Sequence, residues 1–170
     1  MNQPVITLLT DFGLSDHYVA AMKGVILSIC PSARLVDITH EIRPYSILGG
    51  AFSLSQAWRY FPKGTVHLVV VDPGVGSSRL PLAAEADGHR FVAPDNGVLS
   101  MIGDFQAFEI REARYFNRPV SQTFHGRDIF APVAAHLAAG VGPSDFGPRV
   151  TDPIRLPALR PIEVRPGVWT

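Results

Sequence analysis

Cysteine is nearly missing: Cys30 is the only one in 170 residues. That excludes an intrachain disulfide framework and any site built from several thiolates. Neither sign of charge is in excess, with fifteen Lys and Arg against fifteen Asp and Glu. No net field therefore draws the chain to nucleic acid or to an anionic membrane, and a small neutral or zwitterionic partner is expected instead. No apolar run approaches the ~20 residues that cross a bilayer. The start Met1-Asn2-Gln3-Pro4 has no charged stretch leading into an apolar one. His17, His40, His67, His89 and His136 show no metal-ligand spacing among themselves, so no metal site is expected. There is no internal repeat. Together these absences predict a soluble protein of the cytoplasm.

What is present suits one domain with a substantial core: 46% of residues are apolar and 18% charged, the balance of a compact chain rather than a disordered one. Val5 to Thr10 reads as a first strand. A helix capped by Asp16 follows through Cys30, its apolar face set by Val19, Met22, Val25, Ile26 and Ile29. Leu35 to Thr39 is a second strand, and Ser46 opens a second helix through about Tyr60, with Phe52, Leu54, Ala57, Trp58 and Phe61 available to pack. Thr65 to Val71 is the third strand. Strand, helix, strand, helix, strand implies right-handed crossovers, and so a three-layer α/β sandwich with a largely parallel sheet and helices on both faces.

Leu82 to Asp87 and His89 to Ala93 flank Asp87-Gly88 as a β-hairpin. A short helical turn over Val98 to Ile102 and a strand over Phe105 to Arg111 follow. A last helix from about Ile129 to Ala139 tolerates Pro132 near its first turn and ends at Gly140. From Val141 onward Pro143, Pro148, Pro153, Pro157, Pro161 and Pro166 recur, which predicts an extended segment without regular elements. Residues 1–150 are thus read as the domain and 151–170 as a proline-rich tail.

The chain is organised around Val69-Val70-Val71-Asp72-Pro73-Gly74-Val75-Gly76-Ser77-Ser78-Arg79. Here a buried parallel strand runs into a glycine-rich turn ending on a cation. Loops beyond the carboxyl ends of strands form the ligand crevice of an open α/β sheet. Such loops here carry Asp11, Tyr45, Asp72 and Arg79. Plainer readings stand beside these: Asp72 and Arg79 as a surface ion pair, Asp11 bonding its own turn, Tyr45 as a core aromatic. Gly74 to Arg79 could also cradle a phosphate, although the stretch lacks the last glycine of a dinucleotide fingerprint and the lysine of a P-loop.

Five stretches in order give the chain a resemblance: Thr10-Asp11-Phe12-Gly13-Leu14-Ser15-Asp16, Met22-Lys23-Gly24, Asp72-Pro73-Gly74-Val75-Gly76, Ala93-Pro94-Asp95-Asn96-Gly97 and Thr123-Phe124-His125-Gly126-Arg127-Asp128. Over residues 4 to 150 it resembles the S-adenosyl-L-methionine hydroxide adenosyltransferases, hydrolytic relatives of the adenosylmethionine-dependent fluorinases and chlorinases. The resemblance implies hydrolysis to adenosine and L-methionine by water attacking ribose C5′, with adenosylmethionine as substrate and no cofactor. It places Asp72, Arg79 and His125 as the catalytic triad, with Arg79 stabilising hydroxide character, Asp72 fixing the guanidinium and His125 accepting or relaying the proton; for His125 the plain alternative is a satisfied histidine at a helix start. It places Asp11 on the ribose hydroxyls and Tyr45 against the nucleoside. Asn96 and Gly126 join them at the substrate, with Asp95 and Asn96 read as wall structure before catalysis.

It further implies a homotrimer and a second, β-rich domain that this sequence lacks. A non-catalytic nucleoside-binding module and a halide-using relative are the alternatives it leaves.

Overall fold

The structure, a computed structural model, describes residues 3–157 and 163–169. Strand β1 (Val5–Thr10) pairs in parallel with β2 (Arg34–Thr39) on one side and with β3 (Val66–Val70) on the other, and β3 pairs in parallel with β5 (His89–Pro94). Strands β4 (Pro81–Ala86), β6 (Gln106–Glu109) and β7 (Arg149–Val150) extend the far side in antiparallel fashion, giving the order β2-β1-β3-β5-β4-β6-β7. The sheet is therefore mixed, with its parallel half where the helical crossovers are. The β4–β5 turn is Asp87-Gly88, both with positive φ (49° and 74°), the geometry that matches hairpin twist.

Alternation along the strands builds two cores. Ile6 and Leu8 of β1 with Val66, Leu68 and Val70 of β3 face Met22 and Ile26 of α1 (Tyr18–Ile29) and Val133, Ala134 and Leu137 of α3 (Ala131–Ala138). Leu9, Val69 and Val71 face the other way, onto Leu54 of α2 (Ile47–Ala57) and Trp58. Helices thus cover both faces, as the three-layer reading expects.

Several local expectations are corrected. Helix α1 starts beyond Asp16, with His17 at its N-cap making no side-chain cap bond; His17 stacks on Tyr18 at 4.6 Å instead. Ser46 does cap α2, its Oγ accepting from the Gly49 N–H, but the last turn, Trp58–Tyr60, tightens to a 3-10 turn. Phe52 points outward, because two residues from Leu54 is the opposite side of a helix. Val98 to Ile102 forms turns, not helix.

Residues Gly126–Phe130 form one turn of π-helix leading into α3. The proline-rich end holds short elements after all: a 3-10 turn at Pro143–Phe146, β7, and a small hairpin of β8 (Glu163–Arg165) and β9 (Val168–Trp169). Proline is tolerated in a first helical turn, and Phe146 is buried to anchor that one. Pro161 lies outside the described residues.

His67 gives the core a pH dependence. It is fully buried, with Nδ1 2.7 Å from Thr7 Oγ1 and Nε2 3.1 Å from His89 Nδ1. A neutral chain of hydrogen bonds from Thr7 through His67 to His89 satisfies every one of these atoms. Burial, aided by His89, lowers the His67 pKa from 6.5 to about 3. An unfolded chain takes up that proton near the ordinary value and the folded chain only near the lowered one. This group's contribution to stability is complete above pH 6.5 and is lost toward pH 3, at ~1.4 kcal/mol per pH unit. Urea midpoints should fall between about pH 7.5 and about pH 5; equal midpoints would contradict the assignment.

Candidate functional site

Parallel pairing sends β1, β2, β3 and β5 out of the sheet at one edge, and the Thr10↔Val70 register sets Asp11 beside Val71. The loop after β3 folds back on itself. The Ser77 N–H and Oγ both donate to the Gly74 carbonyl, and the Arg79 N–H donates to Ser77 Oγ. This returns Arg79 onto the head of its own loop. Its Nε donates to both Asp72 oxygens at 3.0 Å, and Nη2 donates to Oδ2. Arg79 and Asp72 side chains are 8% and 4% exposed, so this is a buried pair and not a surface one. The Phe130 ring lies under the guanidinium, 5.2 Å away.

His125 reaches the same guanidinium from the head of the π-turn, with Arg79 Nη2 donating to its Nδ1 at 2.8 Å. Burial, then Arg79, holds the imidazole below its ordinary pKa, against the opposing pull of Asp72 and Asp128. A neutral ring that accepts at Nδ1 carries its hydrogen on Nε2. Nε2–H and Arg79 are then both donors, an arrangement that favours oxygen bearing negative charge. Accepting a proton from water would require His125 to give up the Arg79 bond.

Asp11 does not bond its own turn. Its Oδ2 accepts from the Tyr45 N–H at 2.8 Å, tying the exits of β1 and β2 together. That contact accompanies a left-handed backbone at Tyr45 (φ 66°), and the side chain is 72% exposed, which removes the core-aromatic reading. Asn96 Nδ2 donates to the Val71 carbonyl, bracing the chain just before Asp72, while Asn96 Oδ1 accepts from the Val98 N–H and closes its own turn. Asp95 faces the other way, Oδ1 accepting from the Ile154 N–H at 2.9 Å. Gly126 is buried; a Cβ there would meet Met22 Sδ at 3.2 Å and the Phe12 ring at 3.4 Å.

Phe12, Tyr18, Thr123 and Phe124 line a cavity of about 220 Å³. Phe12 follows Asp11 in the chain and Phe124 precedes His125, so two walls of the cavity are chain neighbours of the ribose candidate and of one triad residue. A larger hollow of about 610 Å³, lined by residues including Arg34 and Lys63, lies at the opposite ends of the strands. Its size does not make it the better candidate, since no buried polar cluster converges there.

Lys23, of the Met22-Lys23-Gly24 stretch, donates to Asp37 Oδ2 at 2.6 Å. His40 Nε2 lies 3.0 Å from Asp37 Oδ1 but off the line of a formed hydrogen bond. Its Nδ1 is 2.9 Å from Thr10 Oγ1, bracing the same edge. Sequence reasoning did not single out Phe130 or Asp128, although both lie in or beside a quoted stretch. An apolar residue at helical spacing reads as core, and an acid in a first helical turn reads as a dipole partner. Among the described residues no group of three or more His, Cys, Asp or Glu is gathered to hold a metal ion, and no helix is long and apolar enough to cross a membrane.

The pattern described as SAM hydroxide adenosyltransferase N-terminal domain matches residues 6–147. A protein of Salinispora tropica named (R)-S-adenosyl-L-methionine hydrolase is 45% identical over 168 residues, covering 96% of this chain and 64% of that one. A crystal structure of an uncharacterized conserved protein from Thermotoga maritima superposes with a TM-score of 0.89 at 43% identity, covering 94% of this chain and 64% of that one. A fluorinase of an Actinoplanes species is more distant, at 30% identity over 194 residues, 97% of this chain and 65% of that one. The chain spans 64% of the length of the first two relatives.

Proposed function

The chain belongs to the SAM hydroxide adenosyltransferase family, matching its N-terminal domain over most of its length, and on that premise we propose that it hydrolyses S-adenosyl-L-methionine to adenosine and L-methionine. The observation that carries this reading is the contact of the buried Asp72–Arg79 pair of one loop with His125, 46 residues further along the chain.

The chemistry asks for an aligned oxygen nucleophile and little more. Water oxygen forms a bond to ribose C5′, the C5′–S bond breaks, and its electron pair neutralises the sulfonium to give methionine. The proton passes to solvent. Arg79 and the His125 Nε2–H are placed to stabilise hydroxide, and Asp72 locks the guanidinium in plane. Asp11 has Oδ1 left to accept from a ribose hydroxyl. Phe12, Tyr18 and Phe124 exclude water around the reacting carbon. The arrangement supports water over halide as nucleophile, because Arg79 and the His125 Nε2–H are donors suited to an oxygen bearing negative charge.

We take residues 1–150 as the catalytic N-terminal domain and 151–170 as the segment leading out of it. Leu48 and Phe52, exposed one turn apart on α2, supply apolar surface for assembly into a homotrimer. The buried lone Cys30 suits a reducing cytoplasm.

The test is incubation with adenosylmethionine in ¹⁸O-water, followed by mass spectrometry. Adenosine carrying the label at its 5′-oxygen, with equal methionine, is expected. Unlabelled adenosine, or binding of adenosine without products, would overturn the reading, the second in favour of a nucleoside-binding module. A 5′-halogenated nucleoside formed in concentrated chloride would overturn the choice of water.

A further inference from the structure

Among the buried carboxylates that the mechanism above leaves unused, Asp128 is the most deeply enclosed. The Asp128 side chain is fully buried, and an isolated carboxylate there would be strongly disfavoured. Its oxygens are saturated instead. Oδ1 accepts from Arg127 Nε at 2.7 Å and Asn117 Nδ2 at 3.1 Å; Oδ2 accepts from Arg127 Nη2 at 2.8 Å and the Ser121 N–H at 2.9 Å. The Asp128 carbonyl also accepts from the Asn117 N–H at 2.9 Å. Every partner lies between 117 and 127, so one carboxylate closes loop 117–123 onto the turn that presents His125.

The other side of that loop touches the second half of the site. Gly76 has φ +77°, and a Cβ on it would stand 2.7 Å from the Gln122 carbonyl oxygen. The loop therefore rests directly on the turn that returns Arg79 to Asp72. Asp72 and Arg79 come from one excursion of the chain and His125 from another. Loop 117–123 is the piece in contact with both. The π-turn begins at this junction, a distortion that recurs where side chains are aimed at a site.

We propose that Asp128 is a positioning residue of the hydrolytic site: its carboxylate fixes loop 117–123 between the His125 turn and the Gly76 turn, and so keeps the imidazole in register with Arg79 Nη2. The link to turnover rests on the function proposed above; the geometry does not. A merely structural ion pair with Arg127 is the competing account, and titration of His125 separates the two.

The charged groups around that ring are Arg79 and Asp72 from the facing loop and Asp128 from its own turn. If Asp128 acted only through its charge, Asp128→Asn would lower the His125 pKa further. If it holds position, the ring is released from the guanidinium and from burial, and its pKa rises toward the ordinary histidine value.

NMR titration of the imidazole resonances, with His125 assigned by its loss in His125→Ala, should show that rise in Asp128→Asn. It should be accompanied by a ~10- to 100-fold fall in kcat for adenosine release and a smaller change in KM. An unchanged or lowered pKa in a folded Asp128→Asn protein overturns the proposal. Asn117→Ala covers the case in which that variant fails to fold: it keeps the carboxylate and Arg127 paired, removes one loop bond, and should move the pKa the same way by less. No movement in Asn117→Ala then overturns the proposal. Absence of turnover in the unmodified chain would count against the function, while the titration would still decide the positioning.

Discussion

Replacing His125 with alanine is expected to lower adenosine release by ~10²- to 10³-fold, the range lost with a single donor or proton-transfer group at a reacting centre. His125 is the cleanest of the three candidates to remove. It is half-buried at the head of a turn, and Asp72 still holds Arg79 through both oxygens when it is gone. Asp72→Ala would instead strand a guanidinium that is 8% exposed, a change that destabilises by ~3–5 kcal/mol and confuses folding with catalysis. Initial rates of adenosine formation, beside a thermal melt showing the variant folded, provide the measurement. A rate within about threefold of the unmodified chain would sink the assignment.

The second large effect is on stability. Phe130→Ala is expected to destabilise the fold by ~3–5 kcal/mol, because the ring is fully buried among Ile6, Leu8 and the helices of one face. That is a sizeable share of the ~5–15 kcal/mol that holds a domain together. Part of the loss falls on the site, since the same ring is the floor beneath Arg79. Urea denaturation should show the drop. Tyr60→Ala, at a residue 90% exposed, should stay within ~0.5 kcal/mol and serves as the control.

The parallel half of the sheet was readable because each strand there is an apolar run stopped by a turn. Val66 to Val71 into Asp72-Pro73-Gly74 is the plainest case. The triad residues were readable as residue types at strand ends, but their contact depends on how two loops fold back. Arg79 returning to Asp72 rests on Ser77 and two glycines, which no periodicity expresses. For Tyr45 the sequence left a core aromatic open beside a nucleoside contact, and only the first is removed, because its outward pose goes with a left-handed backbone and with the Asp11 bond to its N–H, 34 residues away. The terminal segment was misjudged for a different reason. Proline density hid Phe146, Ile154 and Leu156, single anchors that dock by backbone N–H groups and one buried ring rather than by pattern.

Asp95 and Asn96 are consecutive yet turned in opposite directions, one gripping the backbone at Ile154, the other the carbonyl of Val71. Ser100 Oγ takes the Leu156 N–H, and Leu156 sits so close over Gly97 that a Cβ there would be 2.9 Å from its Cγ. Arg155 spreads over the Phe105 ring at 4.1 Å. The outgoing chain is thus geared to the residue before Asp72 through a single peptide unit. The exit of the chain and the carboxylate that steadies the guanidinium share one support, the stretch 95–100.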